Sequence, residues 1–297
     1  MPLRFNMPES EYRADPSLSV HLLHEFHRSP AHYQLALRGE AKEATPAMLL
    51  GRAVHCAVLE PDRFATSWVC GPESRRGKAW EQAELVAKHD GAEILPEPEH
   101  QKVVAIADAV RAHPAASQLL AGSVDAREVS WFADIDDQHG GTRPAKGRVD
   151  AIDFGRGIAW DLKTCQNASP KAWEKVTLDY RYHVQGAYYL DGLALCGHPN
   201  LLWVVVAVET APPYAVSVIW NDDKWIEAGR LAYRDDLWNL RDREQRNDWS
   251  AYGTGVLTLG ADGWVGRKLT EGLSWESFTR LNAQASLSPT STEGTSI

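Results

Sequence analysis

Asp150, Asp161 and Lys163 each have apolar neighbours in the segment GRVDAIDFGRGIAWDLKT, residues 147–164. Strand-like runs do not usually place three charges where a core belongs, so Asp150, Asp161 and Lys163 mark a candidate site. Side chains alternate faces along a strand, which puts Asp161 and Lys163 on one face and Leu162 on the other. A two-residue type II′ turn at Gly155-Arg156 would pair 154 with 157, 152 with 159 and 150 with 161. Asp150 then lies opposite Asp161 and beside Lys163. Like charges directly opposite are destabilising unless compensated, and a divalent cation is the obvious compensation. Two carboxylates suit Mg²⁺, a hard ion that prefers oxygen and lowers the pKa of a bound water. A neighbouring Lys163 can stabilise charge growing on a phosphate. The chemistry on offer is phosphodiester hydrolysis. A solvated charged hairpin is the competing reading, because Asp-x-Lys alone is common, and a three-residue loop would set Asp150 against Leu162.

The elements that must position these residues follow from local signals. A helix capped by Ser17 or Ser19 breaks at Ser29-Pro30, and a second helix follows. TPAMLLGRAVHCAVLEPDRF has Thr45 as N-cap, Pro46 at the first helical position and Pro61 as its close. CGPESRRGKAW, residues 70–80, reads as a basic loop, and residues 80 to 120 follow a helical pattern. Strands then take over in AREVSWFADID, KGRVDAID and GIAWDLKT. A helix over DYRYHVQGAYYLDGLALCG, two strands (LLWVVVAVE and YAVSVIW) and a long amphipathic helix from Asp222 complete the body. The fold class is α/β, a mixed central β-sheet flanked by helices with a helical N-terminal part. Residues 1–14 read as an N-terminal tail, 15–252 as one domain, 253–283 as a C-terminal extension and 284–297, rich in Ser and Thr, as a disordered tail.

The 297 residues can bury one large core, and 44% hydrophobic with 24% charged residues is ordinary for a globular protein. No apolar run approaches the roughly 18–20 residues of a membrane span, and the polar N-terminus lacks a signal-peptide core. A cytoplasmic location is expected, with no membrane partner. The four cysteines (Cys56, Cys70, Cys165 and Cys196) form no CxxC pair and are expected as free thiols. A net charge of −9 argues mildly against coating nucleic acid through bulk charge. It leaves room for a DNA enzyme whose cations gather in one channel.

Asp150 with the later Asp161-Leu162-Lys163 resembles the split motif of the PD-(D/E)XK nuclease superfamily. LLGRAVHCAVLEP, KGRVDAI and VQGAYYLDG resemble the histidine helix, the Lys-Gly-Arg-x-Asp strand and the Gln-x-x-x-Tyr motif of its RecB-like group. LSVHLLHEFHRSPAHY, VVAVETAPPYAVSV and AGRLAYRDDL resemble the opening and closing segments of RecE-type exonucleases (exodeoxyribonuclease VIII and prophage relatives), so the resemblance spans about residues 15–252. It implies a restriction-endonuclease-like core. It further implies a Mg²⁺-dependent exodeoxyribonuclease, with Mn²⁺ able to substitute, that degrades linear duplex 5′-to-3′ and leaves 3′ tails for a RecT-like annealing protein. Ring-shaped homo-oligomers are implied as well.

Carried onto this sequence, the resemblance makes His55, Asp150, Asp161 and the Leu162 carbonyl metal ligands, with Glu128 a second-tier candidate. Lys163 becomes the catalytic lysine. Gln185 and Tyr189, four apart on one helical face, become supports of the site that also contact DNA. For His55, Glu128 and the Gln185–Tyr189 pair, ordinary packing or surface roles are the alternatives. Lys146 and Arg148, at even offsets from Asp150, are candidates for phosphate contact. Arg75, Arg76 and Lys78 could grip a DNA backbone while Trp80 stacks at an end, or could form a solvated loop. Only Cys196 follows Tyr189, so the four-cysteine iron–sulfur cluster of some RecB-like nucleases is not expected. Two other readings compete: a RecB-like nuclease of other polarity or single-strand or flap substrate, and a catalytically silent DNA-binding protein.

Overall fold

The computed structural model describes residues 2–39, 45–252 and 255–256. The expected C-terminal extension and tail lie outside these, apart from 255–256. The chain opens with α1 (Glu9–Ala14), the two-residue β1 (Leu18–Ser19), α2 (Val20–Arg28) and α3 (Pro30–Leu37). Then come α4 (Pro46–Leu59), α5 (Pro61–Ser67), β2 (Trp68–Cys70), α6 (Lys78–His89), β3 (Glu93–Leu95), α7 (Glu97–Ala112) and α8 (Pro114–Gly122). The central strands are β4 (Arg127–Asp136), β5 (Thr142–Asp153) and β6 (Ile158–Cys165). After α9 (Pro170–Asp179) and α10 (Tyr182–Leu195) come β7 (Leu202–Glu209), β8 (Val216–Trp220) and α11 (Asp223–Arg246).

The caps work as their chemistry demands. Ser19 Oγ accepts from the Leu22 N–H at 3.3 Å, and Thr45 Oγ1 accepts from the Met48 N–H at 3.2 Å. Pro46 stands in the first turn of α4, and Pro61, instead of only ending that helix, starts α5. Among the elements that go beyond the sequence pattern are α9 and a separate two-stranded sheet, whose β2 ends where the expected basic loop begins and whose β3 lies inside the stretch read as helical.

The main sheet is organised around β5. One edge of β5 pairs antiparallel with β4 from Arg127↔Ala151 to Asp136↔Thr142. Its other edge is shared. Leu18↔Ala145 and Ser19↔Lys146 pair it in parallel with β1, while Ala151↔Trp160, Ile152↔Ala159 and Asp153↔Ile158 pair it with β6. Between those two patches β5 and β6 part. β6 continues in parallel with β7 from Ile158↔Leu202 to Cys165↔Glu209, and β8 closes the order. The hairpin register is the expected one, but its turn is not type II′: Gly157, not Gly155, takes positive φ (+70°). The loop is therefore a four-residue one with its left-handed residue last, which keeps the same pairing sum.

Apolar cores fill both faces. Trp131, Val149, Ile152, Ala159, Tyr188 and Trp203 belong to one, and Val54, Ala151, Trp160, Leu162 and Val206 to the other. Burying each large apolar side chain is worth about 1.5–3 kcal/mol. Val149 and Ile152, three apart, pack into the same core while Ala151 packs into the opposite one, so the two-residue alternation breaks at Asp150. On β4 the same break separates Ala126 from Val129, and there Glu128 takes φ +49°. A non-glycine residue in the left-handed region inside a strand marks a local irregularity of the bulge kind. The Trp131 indole is pressed between β5 and α10, where a Cβ on Gly147 or Gly192 would stand only 2.5 or 2.4 Å from its ring atoms.

Residues before 15 are not a loose tail. Arg4 and Ser130 exchange backbone hydrogen bonds, Met7 is buried, and α1 lies against β5 through Lys146 and Arg148. Residues Met1–Ala251 form one compact unit. No described helix is long and apolar enough to cross a membrane.

Candidate active site

The candidate site lies where β5 and β6 diverge. The ladder ends at Ala151↔Trp160, and one residue further the Asp150 carboxylate takes over: its Oδ2 accepts the Leu162 N–H at 2.7 Å. A side-chain oxygen thus satisfies a strand N–H that has lost its backbone partner on that side. Asp161 and Lys163 point from β6 to one face as alternation requires, and their carboxylate and ammonium form an ion pair. Asp161 is 3% exposed at its side chain and Lys163 19%, so the pair is largely shielded from water.

Helices reach the fork from both sides. His55, on α4, sets Nδ1 at 3.3 Å from Asp150 Oδ2. Gln185, on α10, donates from Nε2 to Asp161 Oδ1 at 3.2 Å. Tyr189, one turn later on the same helix, stands its ring edge-on to Trp203 at 5.7 Å. Gln185 fixes Asp161, and the four-residue spacing sets Tyr189 on the same helical face one turn further on. Tyr189 is 8% exposed, so its expected contact with DNA is corrected to an internal support.

The charges are strongly coupled. Burial, and then repulsion from Asp161, push the Asp150 carboxyl up to about 6. Burial, and then the charge of Asp150, push Glu128 up to about 8. Glu128 thus feels the charge of Asp150. Burial disfavours the Lys163 ammonium, but Asp161 and Asp150 outweigh it and hold its pKa above the ordinary lysine value. Lys163 is a cation at neutral pH in this arrangement.

The metal-ligand expectation needs correcting in its geometry. Among the described residues no three His, Cys, Asp or Glu side chains converge as a metal cage. Asp150 is turned onto the Leu162 N–H and His55, while Asp161 is held by Lys163 and Gln185. At Leu162 it is the N–H, not the carbonyl, that meets a carboxylate. The donor chemistry still suits a hard divalent ion. Asp161 Oδ2 is buried and meets the Lys163 ammonium without an aligned hydrogen bond, and an imidazole and two more carboxyls stand nearby.

Several proposed DNA contacts have other employment. Lys146 is 5% exposed, and its Nζ donates to the Tyr12 and Asp15 carbonyls at 2.7 and 2.6 Å. Arg148 donates to Ser130 Oγ, Glu9 and the Met7 carbonyl at 2.8–2.9 Å. Both cations pin the N-terminal segment instead of meeting phosphate; parity placed them on a face but could not show what covers it. Trp80 is 7% exposed and packs against Gly71 and Ile94, so it cannot stack on a DNA end. Arg75 pairs with Glu99 at 2.6 Å, whereas Arg76 and Lys78 are exposed.

Residues that the motif left out also border the site. The Lys163 ammonium sits 4.9 Å from the centroid of the Tyr182 ring. His24, on α2, feels Lys163 and Arg181; burial, then Arg181, lower its pKa to about 3. Tyr182 precedes Gln185 by three residues and was legible as a helical neighbour, whereas no sequence pattern tied His24 to Lys163.

A family model described as a PDDEXK-like domain of unknown function (DUF3799) matches residues 19–256. Among solved structures, a "Putative exonuclease" from Eubacterium rectale is similar at 13% identity and TM-score 0.59, over 91% of this chain and 100% of that one. That likeness shows a shared fold. Another structure, SSO0001, is 17% identical over 75% of this chain and 86% of its own, with a TM-score of 0.31. No curated protein matches.

Proposed function

The chain belongs to the PDDEXK-like domain family, and from that premise we propose that it is a divalent-metal-dependent deoxyribonuclease, with Mg²⁺ the preferred ion. The observation that carries this reading is the meeting of Asp150, Asp161 and Lys163 at the strand fork, with His55 and Gln185 reaching them from helices on opposite faces. Asp150, Asp161 and His55 would hold the ion, which would supply an activated water and neutralise charge on the phosphate. Glu128 is a further oxygen donor within reach of the same field.

The chain's own groups divide the remaining work. Lys163, kept protonated by its two carboxylates, offers a positive charge to a phosphate in a partly dry site, where it counts for more than in water. As an ammonium it can stabilise a pentacovalent oxyanion or give a proton, but it cannot accept one. Gln185 keeps Asp161 from swinging away, so the carboxylate is aimed before substrate arrives.

The substrate we propose is linear duplex DNA degraded 5′-to-3′ from its ends, leaving tails for a RecT-like annealing partner, with ring assembly as the route to processivity. The resemblance of the motif order supports this finer part. Duplex labelled at the 5′ or 3′ end, digested with Mg²⁺ or EDTA, tests it. Lys163→Ala should abolish digestion and leave DNA binding within a few fold. Equal digestion by wild type and variant would overturn the mechanism, and early release of the 3′ label would overturn the polarity.

A further inference from the structure

A stack of three aromatic rings leads away from Lys163. Tyr182, whose ring lies 4.9 Å from the Lys163 ammonium, stacks on Trp173 at 5.8 Å and 22°. Tyr180 stacks on Tyr182 at 5.6 Å and 16°. Trp173 is 2% exposed and anchors the inner end, whereas Tyr180 is 63% exposed at the outer end. The two tyrosines are held parallel by a break in the backbone between them. Tyr180 ends α9, Arg181 takes φ 56°, and Tyr182 begins α10. Arg181 is fixed there by its ion pair with the buried Asp236 at 2.7 Å.

An exposed tyrosine alone would mean nothing, since single apolar side chains are common on surfaces. Here the exposed ring continues a near-parallel stack whose middle ring, Tyr182, meets the ammonium of the site. We propose that Tyr180, backed by Tyr182, forms a stacking platform for an unpaired nucleobase of the strand whose phosphate is presented to Lys163; this rests on the nuclease reading above. A flat π-face accepts any base, so the platform positions without selecting sequence. Leu178, 56% exposed on the last turn of α9, adds apolar surface at the same end. A peptide side chain would gain little from a planar stack beside a phosphate-binding cation, whereas a nucleotide offers a ring and an anion together.

The test is made on the whole protein in EDTA, where binding is read without cleavage. A short duplex with a single-stranded 5′ extension carries 2-aminopurine at successive positions, and its fluorescence reports stacking. Wild type should quench the probe at one or two positions. Tyr180→Ala should lose that quenching and bind about 5- to 100-fold more weakly, while Tyr180→Trp retains both. An abasic residue at the quenched position should weaken wild type by a similar factor and Tyr180→Ala hardly further, because the contact is already gone. The abasic arm needs only wild type, so it stands even where the alanine variant fails to fold. Quenching unchanged in Tyr180→Ala, or an abasic residue without effect at every position, overturns the platform. Binding and stacking without Mg²⁺-dependent cleavage would overturn the nuclease reading and leave the platform standing, whereas absence of DNA binding would overturn both.

Discussion

Asp150→Asn separates what the fold needs from what the chemistry needs. Asparagine keeps an oxygen to accept the Leu162 N–H, now bonded at 2.7 Å, and removes one charge from the carboxylate cluster. In the folded protein the Asp150 carboxyl is raised from 3.8 to about 6 by burial and by Asp161. Ionising it therefore costs the fold about 3 kcal/mol once the pH exceeds both values. The sign follows from the raised value: stability is intact below about pH 4, falls as the pH climbs through 6, and stays low above that. Without metal at pH 8, Asp150→Asn should be more stable than wild type by about 1–3 kcal/mol, and at pH 4 the two should match. For a unit of this size each kcal/mol moves the melting temperature by about 2–4 °C. Urea titrations in EDTA at the two pH values measure the difference, and a nuclease assay should show activity lost. A variant that is less stable than wild type at pH 8, or whose advantage persists unchanged at pH 4, would refute the reasoning.

Other consequences can be checked in the same preparations. His24 has its pKa lowered from 6.5 to about 3, so its neutral form supports the fold fully above pH 6.5. That support should fade by up to about 1.4 kcal/mol per pH unit on acidification, and the urea midpoint of His24→Gln should fall less steeply from pH 6.5 to 4.5. Gly192→Ala drives a methyl into the Trp131 indole and should cost about 1–3 kcal/mol, seen as a lower melting temperature. Arg76→Ala and Lys78→Ala should each reduce the salt slope of DNA binding by about one. Trp80→Ala should instead lower stability by about 3–5 kcal/mol with the slope unchanged, because Trp80 is buried.

What could be read from the sequence was whatever local physics decides. Ser19 and Thr45 cap the helices they announce, and Ile152 does pair with Ala159. The type of turn was misread because two glycines, Gly155 and Gly157, could each supply the left-handed residue, and only Gly157 does. Within the candidate site, alternation placed Asp161 beside Lys163. The role of Asp150 as acceptor for a strand N–H was hidden, since it depends on β5 and β6 parting after Ala151. Lys146, Arg148 and Trp80 were misjudged for a related reason. What covers them comes from far along the chain: residues 7–15 over the two cations, and the β2–β3 sheet against the indole. Parity along a strand gives a face and says nothing of the neighbour on it.

The shared edge of β5 bears on how the protein can be cut. Leu18 and Ser19 cover the stretch of that edge which β6 abandons, and the segment before them is tied down by Arg148 and Ser130. The family match begins at residue 19, in the middle of this two-residue strand. Expression of the matched span alone would strip Leu18 from Ala145 and leave backbone amides and carbonyls of β5 bare there. Such an edge recruits other strands, so the shortened chain should collect in inclusion bodies while a chain that starts ahead of Arg4 remains dispersed.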